Sequence, residues 1–268
     1  MPVIWGLIKP LIVYYVGYYV IRMIVGTLLA GGNMAFLLEE GDSIVNGIAM
    51  LGGCAALFPM IEEEKESQRR EKRRRDAEDG PAKKVSVLWY PVLAVFAACS
   101  VVFFNVLVSL SGLMERSEIY QNVAERQYAV SLGMGLFLYA GVSVVVEEVV
   151  FRYLLYNRLR RSCGRAAYGI VASAFLFGVY HGNIVQGLYA FVIGALMALA
   201  YVYFGSFWAP VLFHGLGNAV IFLSNMVPGI YEIAFSPVMF WVSGLVTAAG
   251  SAFLIREVGK AGKGLSGQ

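Results

Sequence analysis

Long apolar stretches separated by short polar ones make up most of the chain. Several of them approach the ~20 residues that a helix needs to cross a hydrocarbon core. None shows the alternation typical of a membrane β-barrel. The pattern therefore predicts an all-α fold, a polytopic bundle of about eight transmembrane helices. The predicted spans are residues 3–30, 44–61, 87–113, 132–155, 166–180, 185–204, 208–223 and 237–255.

Two longer polar segments lie between these spans. Residues 62–84 mix many Lys and Arg with acids and have no apolar period, which predicts a solvated loop, helical or disordered. The interleaved acids and the membrane context favour a topological anchor there over nucleic-acid binding. Residues 115–127 are expected to form an amphipathic helix at the membrane surface.

The distribution of positive charge predicts the topology. The basic loop after the second span, the turn at 158–165 and the C-terminal tail are separated by even numbers of spans, so all three fall on one side. By the positive-inside rule that side is the cytoplasm. We therefore predict both termini in the cytoplasm and a single transmembrane domain over residues 1–268, with a basic cytoplasmic loop at 62–86 and a set of core helices at 129–223, which also contain the candidate site described below.

Charged residues are only 15% of the chain, against 59% hydrophobic, so charges inside a span stand out. Three interrupt the fourth span: Glu147, Glu148 and Arg152. A charge at the centre of a bilayer costs roughly 2.5–3.5 kcal/mol on insertion scales, and such residues usually mark function. Glu148 and Arg152 are four apart with the acid first, the favourable order for an ion pair. Glu147 lies about 100° around the helix, so we expect it to remain unpaired and face a cavity.

The only two histidines also lie in predicted spans or at their ends. His214 and Asn218 are four apart and share a helix face, and crude depths are compatible with one site formed by them, His181 and Glu147. A carboxylate with a histidine can deprotonate water. A second histidine and an amide can stabilise a developing oxyanion. This set suits the hydrolysis of an amide bond.

The residues alone leave other chemistries open. Glu147, His181 and His214 also match a catalytic zinc set with an open fourth position. Proton relay in a transporter is the chief alternative that involves no hydrolysis. Ser143 and Ser173 are candidates by depth only, because no base is tied to either by spacing.

Three separated motifs resemble the signature of the CAAX-protease and bacteriocin-processing family (CPBP, also called Abi). They are Glu147-Glu148-x-x-x-Arg152, Phe177-x-x-x-His181 and His214-x-x-x-Asn218. The family consists of intramembrane proteases and includes the type II CAAX prenyl endopeptidase. The resemblance covers about residues 132–223. One departure is Tyr153, where the family often has Gly.

The resemblance implies a role for each site residue. Glu147 and His181 would activate the water, His214 and Asn218 would stabilise the oxyanion, and Glu148 with Arg152 would support the site. Family members are often described as metalloproteases, yet a metal-free, glutamate-based mechanism also exists. We favour the metal-free mechanism, in which no cofactor is required; zinc on the carboxylate and the two imidazoles is the alternative.

The expected function is that of an intramembrane endopeptidase whose partners are membrane lipid and a peptide or lipidated peptide. The substrate is expected to be a prenylated CAAX peptide or, in a bacterial plasma membrane, a bacteriocin or signal peptide. No nucleic-acid partner is expected. Two alternatives remain: a non-catalytic immunity or scaffold protein of the same fold, and a proton-coupled transporter.

Overall fold

The computed structural model describes residues 2–30, 37–78, 80 and 85–264, and this part of the chain is helical with no strand. The all-α fold class is therefore confirmed. The helices are α1 (Pro2–Ala30), α2 (Leu37–Ala56), α3 (Phe58–Glu78), α4 (Trp89–Leu110), α5 (Leu113–Arg116), α6 (Glu118–Tyr128), α7 (Leu132–Cys163), α8 (Ala166–Tyr180), α9 (Ile184–Phe204), α10 (Trp208–Met226), α11 (Ile230–Ala234) and α12 (Pro237–Gly264).

Six helices of the described chain are long and apolar enough to cross a membrane, so the protein is an integral membrane protein. The number rises to seven if α2 and α3, which bend by 52° where they meet, form one span. Helix α8 has 15 residues. At ~1.5 Å per residue it is shorter than a hydrocarbon core of ~30 Å. The eight spans and the cytoplasmic termini therefore remain predictions.

Helix α7 carries the two glutamates and is not a regular α-helix. Two π-helical segments, Leu138–Val142 and Val149–Tyr156, flank the α-helical turns of Ser143–Glu148. Such π turns insert an extra residue into a turn and are frequent at functional sites. Here they lie on both sides of the carboxylate pair.

Short turns bring α7, α8, α9 and α10 together. Gly164 at the end of α7 and Gly205 at the end of α9 have φ of 70° and 58°, in the left-handed region that favours glycine. Asn183 caps the start of α9 by accepting a hydrogen bond from the backbone N–H of Gln186. The polar residues of four consecutive helices can therefore face one space.

The polar segment after α2 is mostly helix α3, and α3 packs against the end of α7. Arg161 binds both carboxylate oxygens of Glu64, with the longer contact at 2.8 Å, and Arg160 lies 2.6 Å from Glu71. Because Glu64 is buried, the predicted solvated loop is wrong for this face of the segment. The contact keeps two basic segments on one side of the molecule, as the predicted topology needs.

Candidate active site

The ion pair expected from the sequence is present at the centre of the bundle. Arg152 donates from Nη1 to Glu148 Oε1 at 2.9 Å, and neither side chain is exposed. Its Nη2 donates to the backbone carbonyl of Gly194 at 3.2 Å, and its Cζ lies 4.4 Å from the centroid of the Phe177 ring. Arg152 is thus held by α7, α8 and α9 at once, with a cation–π contact added to the charge pair.

His214 of α10 stands between the two carboxylates. Its Nδ1 donates to Glu148 Oε1 at 2.8 Å, and its Nε2 lies 3.8 Å from Glu147 Oε2. Because an ionised carboxylate only accepts hydrogen bonds, Nδ1 carries a hydrogen. Glu148 therefore receives both Arg152 and His214, while Glu147 is left with its oxygen facing the outer imidazole nitrogen.

His181 ends α8 and is oriented by its own helix. Its Nδ1 lies 2.8 Å from the carbonyl oxygen of Phe177, so Nδ1 donates and a neutral ring keeps Nε2 as an acceptor. The ring also packs edge to face against Phe177 and Tyr180. These contacts fix the imidazole in a half-buried position.

Asn218 connects α10 to the first π-helical segment of α7. Its Nδ2 donates to the carbonyl oxygen of Tyr139 at 2.7 Å, which leaves its second N–H free of this bond. The two helices can approach here because residue 215 is glycine: a Cβ at Gly215 would lie 3.0 Å from the carbonyl oxygen of Ala140.

One cavity of about 520 Å³ collects most of the predicted site residues. Glu147, His181, His214 and Asn218 all line it, and Glu147 is only 8% exposed. Glu148 and Arg152 lie outside the lining, behind Glu147 and Phe177, and are fully buried. The structure therefore brings the four cavity residues and their supporting pair together, as the sequence predicted.

Only one of the two candidate serines lines the cavity. Ser143 lines the cavity, but its hydroxyl donates to the carbonyl oxygen of Tyr139 at 3.1 Å. Ser173 is fully buried away from the cavity lining and donates to the carbonyl oxygen of Ile170. Tyr153, the departure from the family pattern, packs its ring against Phe207 and leaves the polar set intact.

A zinc ion would need three protein ligands within reach of one point. Among the described residues, no three His, Cys, Asp or Glu side chains form such a group. Glu147 and His214 face each other across 3.8 Å, but neither His181 nor Glu148, which is bound to a guanidinium, completes a group of three with them. The described side chains do not form a three-ligand group in this arrangement, and no step below passes through a metal.

Sequence reasoning missed the aromatic wall of the cavity. Tyr14, Tyr15, Tyr18 and Tyr19 of α1 line it, together with Tyr180 of α8. The only signal was the run of residues 14–19, in which tyrosines recur at helical spacing. The Gly194 carbonyl that holds Arg152 left no signal, since a backbone oxygen is not encoded by residue type.

A membrane-embedded helical bundle with a buried carboxylate–imidazole site defines the class of this molecule. Residues 129–220 match a family model described as Rce1-like, type II CAAX prenyl endopeptidase Rce1-like. This segment belongs to the CAAX-protease family, and the assignment made from the three motifs is confirmed. The match spans α7 to α9 and most of α10, and leaves α1 to α6 outside. Neither a curated protein nor a solved structure matches the chain.

Proposed function

We propose that this protein is an intramembrane endopeptidase that hydrolyses a peptide bond of a membrane-associated substrate, with Glu147 activating the water. The family is one of proteases, which supports peptidase activity in general. The observation that carries the proposal is that the two adjacent carboxylates have different partners. Arg152 and His214 both bind Glu148, whereas Glu147 lines the cavity and faces only the outer imidazole nitrogen of His214, at 3.8 Å.

In the proposed reaction, the water binds between Glu147 and His181. The carboxylate accepts the water proton as hydroxide attacks the scissile carbonyl carbon. The second hydrogen of the water is donated to Nε2 of His181, which can accept it because the ring's own hydrogen is on Nδ1 and is donated to the Phe177 carbonyl oxygen. Two acceptors then orient the water so that one of its lone pairs points at the substrate.

The oxyanion that forms needs donors on the other side of the carbonyl. His214 supplies one at Nε2 when the ring is doubly protonated, since its Nδ1 hydrogen is already used on Glu148. Asn218 supplies the other through the N–H that is not bonded to Tyr139. Glu147 then returns its proton to the leaving amine, and the peptide bond breaks.

Glu148 and Arg152 support this arrangement without touching the substrate. Glu148 accepts the Nδ1 hydrogen of His214 and so orients the ring, and Arg152 holds that carboxylate in place. The proposed mechanism therefore needs both adjacent glutamates: Glu147 faces the cavity and acts as the base, and Glu148 is bound to Arg152 and His214 and positions them.

The proposed substrates are peptides that reach the cavity from the membrane: a prenylated CAAX peptide, or a bacteriocin or signal peptide if the chain is bacterial. The plasma membrane is the proposed location in that case. The tyrosine-rich cavity and the apolar outer faces of α1 and α12 support a substrate that partitions into lipid.

The test is cleavage of membrane-associated peptides by the purified protein in liposomes, followed by mass spectrometry. Glu147→Gln keeps the shape of the side chain but removes the base, so turnover should fall at least about 100-fold. Ser173→Ala, a buried substitution away from the cavity, is the matched control and should retain activity. Turnover that survives Glu147→Gln would refute the mechanism.

A further inference from the structure

Seven of the helices that line the cavity form a ring whose packing is incomplete at one point. In order around the ring they are α2, α7, α10, α4, α9, α8 and α1. Neighbours in this ring pack against each other, except that α1 packs scarcely against α8. The second half of α7 contacts both of these helices below the cavity. At the level of the site, the wall between α1 and α8 therefore depends on side chains.

Tyrosine side chains close this part of the wall. The rings of Tyr15 on α1 and Tyr180 on α8 lie with their centroids 6.0 Å apart, and Tyr15 stacks on Tyr19, one turn further along α1. All three tyrosines line the cavity, yet Tyr19 is 61% exposed, too much for a side chain that the cavity encloses. Its ring therefore extends from the cavity to the outer surface of the bundle, where Val16 and Val20 are also exposed.

Helix α8 ends next to the site. Its 15 residues extend over roughly 22 Å, against a hydrocarbon core of ~30 Å. It ends at Tyr180, and the turn that follows begins with His181 and continues through Gly182, whose φ of 70° reverses the chain into α9. The side chains that flank this turn on the outside, Val179 and Ile184, are apolar and exposed. An apolar outer surface therefore borders the His181 side of the cavity.

We propose that a peptide chain lying in the membrane enters the cavity from the lipid between α1 and the end of α8, past Tyr15, Tyr19 and Tyr180. The proposal rests on the function proposed above and adds the route of its substrate. Aromatic rings suit such a route, because they pack against apolar chains and their hydroxyls can bond to a peptide backbone that has left water. A chain that passes Tyr180 reaches His181, whose ring packs against it, and enters the cavity that Glu147 lines.

The first experiment fixes α1 and α8 to each other. Tyr15→Cys with Tyr180→Cys, in a background with the three native cysteines changed to Ser, is joined by a bifunctional methanethiosulfonate reagent, which a reductant cleaves. In liposomes that contain a membrane-associated peptide, joining should lower turnover at least tenfold relative to the same variant after reduction. Trp89→Cys with Phe253→Cys is the matched control, because it joins α4 to α12 across a ring pair 5.7 Å apart and off the cavity wall. This variant should keep its turnover when joined.

Tyr15→Cys alone, treated with the same reagent, separates fixing the helices from filling the cavity and should also remain active. Unchanged turnover in the joined α1–α8 variant, or equal losses in the joined variant and in treated Tyr15→Cys, overturns the inference and leaves the peptidase proposal standing. If the unsubstituted protein cleaves no peptide, the proposed function itself fails, and the labelling experiment below decides the route on its own.

The second experiment needs no turnover. Ser143→Cys, in the same cysteine-free background, places a thiol on the cavity wall, and an N-alkylmaleimide with a long alkyl chain delivers the label from the lipid. Tyr15→Ala removes a ring from the proposed entrance and should raise the labelling rate at least threefold. Tyr128→Ala removes an equal ring from the α6 wall of the same cavity and should leave the rate unchanged. The route is overturned if Tyr15→Ala does not raise the rate, or if Tyr128→Ala raises it as much.

Discussion

Tyr14 shows how much of the site depends on single residues outside the matched segment. It lines the cavity, is only 2% exposed, and its hydroxyl has no hydrogen-bond partner among the described residues although Tyr180 lies beside it. The backbone and ring of Tyr14 leave no room for a Cβ at Gly53, which would lie 2.8 Å from the Tyr14 carbonyl oxygen. The ring is therefore fixed by close contact between α1 and α2, not by a hydrogen bond.

Removal of this hydroxyl should not destabilise the fold. A buried, unpartnered polar group costs free energy, so we expect Tyr14→Phe to leave the free energy of unfolding unchanged or to raise it by up to about 1 kcal/mol. Tyr18→Phe is the matched control, because the Tyr18 hydroxyl donates to Asn46 at 2.6 Å. That variant should lose about 1 kcal/mol. Reversible unfolding in detergent measures both, and an equal loss in the two variants would contradict the argument.

For single residues, the sequence predicts the site best where a buried charge costs free energy. Glu147, Glu148 and Arg152 stood out because charges are rare in an apolar span, and the i, i+4 spacing predicted their pairing. The contact of His214 with Glu148 could not be predicted in the same way, since it joins residues 66 apart in the chain. Spacing reveals partners on one helix, whereas partners on different helices depend on packing.

Among the helices, α3 illustrates a polar element whose stability comes from a neighbour. Glu64 is almost fully buried, and Arg161 at the end of α7 binds both of its oxygens. A carboxylate left in that position without its cation would be strongly unfavourable. We infer that this pair fixes α3 against the helix that carries the site.

A double-mutant cycle on Glu64 and Arg161 tests this contact. Glu64→Ala and Arg161→Ala should each destabilise the fold, and the double variant should lose less than their sum, with a coupling energy of about 1–3 kcal/mol. The control cycle uses Glu66 and Arg70, an exposed pair 3.3 Å apart on α3, where coupling should stay below about 0.5 kcal/mol. Thermal unfolding of the purified variants gives the four values, and equal coupling in the two cycles would remove the special role of Glu64.

The element boundaries were largely predictable, and the irregularities within elements were not. Apolar runs closely predicted α8 and α9, because hydrophobicity and length decide where such helices lie. The π-helical segments of α7 and the 52° bend between α2 and α3 have no counterpart in the hydrophobic pattern. Hydrophobicity and length alone therefore predict where a helix lies but not where it is irregular.

For the whole molecule, the predicted topology can be tested with single cysteines. Cys163 is exposed at the end of α7, whereas Cys54 and Cys99 are half-buried and can be changed to Ser. In that background Cys163 should react with a membrane-impermeant maleimide from the cytoplasmic side only.

Arg73→Cys on α3, made with Cys163 also changed to Ser, should react from the same side, because α3 contacts the end of α7. Glu118→Cys on α6, in the same cysteine-free background, should react only from the opposite side, since the predicted span in α7 lies between it and Cys163. Labelling of Arg73→Cys and Glu118→Cys from one side would require a different number of spans between them, and the positive-inside assignment of both termini would fail with it.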